Sequence, residues 1–98
     1  MPHPKVGVEW FSGEMRRKLD ENSHKRGWDV AGLRYCLERM IEEVIELEPL
    51  VDEAGESDYT TKQADEIIGE CADVANFAMM MAWRVAPFRT DQVPPSKD

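Results

Sequence analysis

Residues 33–51 read LRYCLERMIEEVIELEPLV, and this stretch decides the fold. Its apolar residues recur at spacings of four, three, four, three and four, the pattern of an α-helix with one continuous apolar seam. The seam consists of Leu33, Leu37, Met40, Val44, Leu47 and Val51. Asp29 is expected to cap the start of this helix, and Pro49 is expected to kink or end it near its last turn.

A second seam of the same kind lies downstream and predicts another long helix, which a capping box of Thr60 and Gln63 opens. This seam consists of Ile67, Cys71, Val74, Ala78, Met81 and Val85. A shorter apolar run upstream predicts a first helix, and its members are Phe11, Met15 and Leu19. No segment shows the strict alternation of a strand, so the predicted fold class is all-α, a helical bundle built on a long antiparallel hairpin of the second and third helices.

The 98 residues are predicted to form a single domain, 1–98, with an ordered core at about 9–86 and flexible tails at 1–8 and 87–98. A chain of this length leaves much of its apolar surface exposed when it folds alone. We therefore expect association between copies of the chain to complete the core.

The chain carries a net charge of −8, with 12 Lys and Arg against 20 Asp and Glu. This balance argues against binding to nucleic acid or to an anionic membrane, because both require a positive surface. No apolar run approaches the roughly 20 residues of a membrane span, and the N-terminus has no signal-peptide core. Cys36 and Cys71 lie inside the helical patterns and are interpreted as reduced thiols of a cytoplasmic protein.

The acidic residues of the two long helices follow the apolar seams closely. With about 100° per residue and Val44 set to zero, Glu43 lies near −100° and flanks the apolar face, and Glu46 lies near −160°. With Val74 set to zero, Glu70 lies near −40°, within the apolar face itself. On the same scale Asp73 lies near −100°. A carboxylate within an apolar face requires a chemical reason.

An antiparallel hairpin can bring the two carboxylate pairs face to face. Converging carboxylates must take up protons or bind cations. A hard divalent ion is the simplest compensation, and an all-carboxylate site suits Mg²⁺, or Mn²⁺ in its place, better than Zn²⁺. Two ions per site would neutralise four carboxylates. The alternative is a solvated stripe of acids without any ligand.

The segment Glu42-Glu43-Val44-Ile45-Glu46, followed after 23 residues by Glu70-Cys71-Ala72-Asp73, resembles the EExxE...ExxD motif of the MazG-like nucleoside triphosphate pyrophosphohydrolases. Two flanking segments, 22–28 and 72–78, resemble stretches of small phage and bacterial members. The resemblance covers roughly residues 10–86. It implies an all-α fold and assembly as dimers or tetramers, which in this short chain is expected to complete the active site. It also implies Mg²⁺-dependent hydrolysis of a nucleoside triphosphate, here expected to be a deoxynucleotide, to the monophosphate and pyrophosphate.

The resemblance also implies roles for individual residues. The expected metal ligands are Glu43, Glu46, Glu70 and Asp73. Glu42 is the candidate general base, although helix geometry would let it exchange this role with Glu46. The expected substrate-binding residues are Lys25, Asn22, His24, Trp28 and Asn76. For these five, helix capping or core packing stays open as the alternative role.

Two other functions remain open at this stage. One is a non-enzymatic acidic helical module, either a homo-oligomeric scaffold or a protein that covers the surface of a basic partner. The other stays within the enzyme class, as a dUTPase or a phosphoribosyl-ATP pyrophosphohydrolase.

Overall fold

The computed structural model describes residues 3–22 and 32–89 of the chain. They form three α-helices, α1 at Pro4–Glu21, α2 at Leu33–Ala54 and α3 at Thr61–Val85, followed by a 3₁₀ turn at Ala86–Phe88. These two ranges contain no strand. The predicted all-α class is confirmed.

The first helix begins at Pro4, whereas the sequence pattern placed residues 1–8 in a flexible tail. Proline at the first helical position suits a helix start, because its ring presets φ and its missing N–H needs no partner there. The His3 ring adds a cap, since its Nδ1 accepts a hydrogen bond from the Lys5 backbone N–H at 3.1 Å. The early start follows from this local capping, which carries no apolar periodicity.

The bounds of α2 also differ from the sequence expectation. Its N-cap is Gly32, and Asp29, the expected cap, lies outside the described residues. The helix continues through Pro49 to Ala54, so Pro49 does not end it. Gly55 follows with φ of 74°, a conformation that glycine adopts without steric cost, and its N–H donates to the Val51 carbonyl.

The start of α3 matches the predicted capping box. The Thr60 hydroxyl oxygen accepts from the Gln63 N–H at 3.1 Å, and the Thr60 N–H donates to the Gln63 side-chain oxygen at 3.0 Å. Because this motif is made by residues three apart, it forms without help from the rest of the fold.

The central element of the described structure is α3. Both α1 and α2 pack against it, and α1 and α2 do not pack on each other within the described ranges. The α1 contact includes a hydrogen bond from the Asn76 amide nitrogen to the Met15 carbonyl at 3.1 Å. On the α2 side, the Arg39 guanidinium lies 5.5 Å from the centre of the Phe77 ring. Helix α3 therefore has two covered faces.

The packed face of α2 is rotated from the predicted seam. Val44, taken as the centre of that seam, is 46% exposed, and Leu33 and Val51 are similarly exposed. Glu43, expected at the flank of the apolar face, is only 8% exposed, and Cys36, seven residues before it, is fully buried. The difference corresponds to one residue, about 100° around the helix. It places a carboxylate on the buried side of α2 and leaves part of the apolar seam in solvent.

Two further sequence expectations concern the cysteines and membrane insertion. Cys36 and Cys71 are both free thiols, as predicted. Among the residues that the structure describes, no helix combines the length and the apolar character needed to cross a membrane.

Candidate metal centre

Three glutamates meet where α2 packs on α3. One carboxylate oxygen from each of Glu43, Glu46 and Glu70 lies within 4.8 Å of the other two. Glu43 and Glu46 are one turn apart on α2, and Glu70 reaches them from α3. The predicted convergence of acids from two helices is therefore present for these three residues.

Glu43 is the most buried member of this glutamate cluster. Burial, followed by the adjacent carboxyls of Glu70 and Glu46, raises the pKa of Glu43 from an ordinary 4.5 to about 8. Burial disfavours the charged form, and negative neighbours disfavour it further. Without a cation, the cluster would therefore keep a proton at neutral pH.

Glu70 also carries a buried oxygen that no hydrogen-bond donor compensates in the described structure. Its Oε2 atom is buried and accepts no hydrogen bond from any group in the described structure. A buried acceptor without a donor is costly, and native proteins usually pair it. The unpaired oxygen belongs to the same cluster, so a cation bound there would satisfy it.

The donor set fits a hard divalent ion. Mg²⁺ binds carboxylate oxygens at about 2.1 Å, so opposite ligands of one ion stand about 4.2 Å apart. Oxygens within 4.8 Å of one another reach that spacing with small side-chain rotations. Three carboxylates without a thiol or imidazole suit Mg²⁺ or Mn²⁺ rather than Zn²⁺.

Asp73 stands apart from the three glutamates. Its Oδ2 lies 3.6 Å from the ammonium nitrogen of Lys18, which α1 supplies. Burial raises the pKa of the Asp73 carboxyl, and the Lys18 ammonium opposes that rise. The fourth expected metal ligand is therefore paired with a cation of the chain itself.

Arg39 is the second cation at this site. Its guanidinium donates to the Glu42 carboxylate at 2.7 Å and reaches the Glu43 carboxylate at 3.4 Å, and it also stacks on Phe77. Glu42, the candidate general base, is exposed and bound to Arg39, and it is not part of the glutamate cluster.

The expected substrate-binding residues fall into two groups. Asn22 caps the C-terminus of α1, where its amide nitrogen donates to the Lys18 carbonyl at 2.9 Å. Asn76 is only 4% exposed and holds α3 to α1 through Met15, although its Oδ1 is buried without a hydrogen-bond partner in the described structure. Both residues thus have structural roles, and their contacts to substrate stay predictions. His24, Lys25 and Trp28 lie outside the described residues.

Sequence reasoning missed Lys18. Lys18 lies in the last turn of α1, outside the two helices that carry the acidic motif. No local pattern shows which face of α1 packs on α3, so the distance between Lys18 and Asp73 is visible only in three dimensions.

Comparisons of the chain with protein-family models, with curated proteins and with solved structures found no match.

The raised pKa of Glu43 predicts how stability depends on pH in the metal-free protein. Because the folded pKa of about 8 exceeds the unfolded value near 4.5, the stabilisation is complete below pH 4.5 and is lost as the pH rises towards 8. The loss is about 1.4 kcal/mol for each unit between the two pKa values. Glu43→Gln removes this titration, so the variant should be more stable than the wild type at pH 8 and nearly equal to it at pH 4.5.

Urea unfolding followed by circular dichroism, in EDTA and across this pH range, measures the effect. Glu38→Gln is the matched control, since Glu38 is an exposed glutamate of the same helix. Equal pH dependence in Glu43→Gln and the wild type would contradict the burial of a protonated Glu43.

Proposed function

We propose that this chain is a Mg²⁺-dependent pyrophosphohydrolase that converts a nucleoside triphosphate, preferentially a deoxynucleotide, to the monophosphate and pyrophosphate. The observation that carries the proposal is the convergence of Glu43, Glu46 and Glu70, one of them almost fully buried, around an unpaired carboxylate oxygen. The resemblance of the same residues to the MazG-like motif supplies the reaction. The structure thus groups three of the five acids in the motif.

The proposed ligands of the metal ions are Glu43, Glu46 and Glu70, with Asp73 available once it is released from Lys18. Bound ions in such a site lower the pKa of the attacking water and neutralise the charge of the departing pyrophosphate. The chain itself contributes the positions of the carboxylates. The burial of Glu43 also keeps water away from one side of the cluster.

Glu46 is the better placed of the two candidates for the general base. It belongs to the glutamate cluster and is exposed to solvent, so a water beside the cluster lies within reach of its carboxylate. Glu42 is held by Arg39 at 2.7 Å, outside the cluster. We therefore assign the proton acceptance to Glu46, and to Glu42 the positioning of Arg39.

The acids lie on two faces of α3. Glu46 and Glu70 lie where α2 meets α3, and Asp73 lies where α1 meets α3. A triphosphate bound across these acids would meet the positive charges of Lys18 and Arg39.

We also propose that a second copy of the chain covers the exposed apolar part of the α2–α3 hairpin. Leu33, Val44 and Val51 are each exposed by nearly half, and they lie on one side of α2. Only Cys36 and Ala72 are fully buried apolar residues in the described structure, a small core for a chain of this size. The two free cysteines and the nucleotide substrate favour a cytoplasmic location.

An acidic helical module without enzymatic activity is the second candidate, and the charge of −8 favours it. The two functions differ in their response to Mg²⁺. Ordered carboxylate ligands predict that a few millimolar Mg²⁺ raises the melting temperature by several degrees, because binding to the folded state alone stabilises it. NaCl of equal ionic strength should not reproduce the rise, since it acts only by screening. An equal effect of both salts would favour the acidic module.

The activity itself is tested by pyrophosphate release from the eight common ribo- and deoxyribonucleoside triphosphates and dUTP, with Mg²⁺ and with EDTA. We expect release only with Mg²⁺, and the preferred base distinguishes a dUTPase from the other branches. Phosphoribosyl-ATP is tested beside the panel, since its preferential hydrolysis would identify a phosphoribosyl-ATP pyrophosphohydrolase. Glu43→Gln and Asp73→Asn should each lower turnover by about 100-fold or more, because each removes a charged ligand.

Glu38→Gln and Asp65→Asn are the matched controls, since both residues are exposed acids of the same two helices. They should keep wild-type activity. Full activity in both Glu43→Gln and Asp73→Asn would show that these residues are not ligands.

The proposed interface is tested by sedimentation equilibrium of Val44→Glu. A charge at this half-exposed position should shift the assembly towards the monomer, because burial of a charged side chain in an apolar interface is unfavourable. Ile45→Glu is the control, since Ile45 is 64% exposed and lies about 100° further around α2. A wild-type chain that sediments as a monomer at micromolar concentrations would contradict the interface.

A further inference from the structure

Lys18 of α1 brings a positive charge to the acidic site. Its ammonium nitrogen lies 3.6 Å from Asp73 Oδ2 on α3 and 3.5 Å from Glu21 Oε1 on its own helix. The Lys18 and Asp73 side chains are 21% and 20% exposed, so water only partly screens the pair. Gly69 lies beneath the ammonium, and a Cβ atom there would stand 3.9 Å from it.

The Lys18–Asp73 pair separates Asp73 from the other three expected metal ligands. Three glutamate oxygens lie within 4.8 Å of one another. The cation beside them in the described structure is the Arg39 guanidinium, which reaches Glu43 at 3.4 Å and is held more closely by Glu42 at 2.7 Å. Asp73 is not part of the glutamate cluster, and a positive charge already stands beside it. At the cluster, a divalent ion meets Glu46 and Glu70 without a salt bridge in the described structure, and Glu43 beside a guanidinium that Glu42 already binds. At Asp73, it meets an ammonium group beside a single carboxylate.

We propose that Lys18 makes the two cation positions of the site unequal: the three glutamates take one divalent ion in the free protein, and the Lys18 ammonium excludes a second ion from Asp73 until a polyphosphate draws it away. This inference rests on the proposed function, because it assumes that the glutamate cluster binds metal. It assigns Lys18 as a positioning residue that acts through Asp73.

Electrostatic repulsion and attraction explain why a substrate would let the second divalent ion bind at Asp73. A second divalent ion beside Asp73 would stand next to an ammonium group, and like charges at such short distances repel strongly. A triphosphate supplies several negative oxygens, each a strong acceptor for an ammonium donor. Lys18 can exchange Asp73 for such an oxygen by side-chain rotation, because its side chain is partly exposed to solvent. The free carboxylate of Asp73 then becomes available to the second ion.

The test counts Mn²⁺ bound to metal-free protein without nucleotide, from the electron paramagnetic resonance signal of the free ion. We expect one Mn²⁺ per chain for the wild type and two for Lys18→Met, with the second site at least about 10-fold tighter than in the wild type. Lys18→Arg keeps the charge and should keep one ion. Lys5→Met, an exposed lysine of the same helix, is the control for the change in net charge and should also bind one.

Each outcome separates the two proposals. One Mn²⁺ in both the wild type and Lys18→Met would overturn the role of Lys18 and leave the metal site intact, and two ions of equal affinity in the wild type would do the same. Absence of Mn²⁺ binding in every variant would overturn both proposals. Circular dichroism checks that each variant is folded, and Lys18→Gln replaces Lys18→Met if the latter is unfolded.

Discussion

The burial of the Glu43 carboxyl against Glu70 is the constraint on which the rest of the site depends. A carboxylate that is 8% exposed beside two other carboxylates is stable only with a proton or a cation. A position that served only packing would hold an apolar residue. The buried Cys36, seven residues earlier on the same face of α2, is such a residue. The cost in stability is consistent with a functional position, since proteins commonly accept such costs where ligands bind.

The arrangement of the three helices determines which groups lie next to each acid of the site. Because α3 is packed on two sides, it presents Glu70 to α2 and Asp73 to α1 from adjacent turns. The acids of one helix are thus given two different neighbours, a pair of glutamates on one side and a lysine on the other. Four carboxylates that form one motif in the sequence become two chemically distinct halves in the structure.

The parts of this structure that sequence could predict are those that local interactions determine. The capping box at Thr60 depends on residues three apart, and the two long helices follow from their own apolar periodicity. The orientation of α2 could not be predicted, because its apolar residues span a broad arc and periodicity does not show which part of it meets α3. Val44, which lies within the apolar seam, is half-exposed, whereas Glu43 at its flank is buried. The Lys18–Asp73 pair depends on how α1 docks, which no spacing within either helix encodes.

Helix α1 is held by α3 alone in the described part of the chain, and this has a thermodynamic consequence for the site. Separation of α1 would break the Lys18–Asp73 and Asn76–Met15 contacts together and leave the glutamate cluster assembled. Local opening of α1 therefore also releases Asp73, in addition to any rotation of the Lys18 side chain. If the docked helix lowers the affinity of a cation for Asp73 by some factor, the bound cation lowers the equilibrium constant for helix docking by the same factor. If a cation binds beside Asp73 as proposed, the first helix therefore acts as its intramolecular competitor.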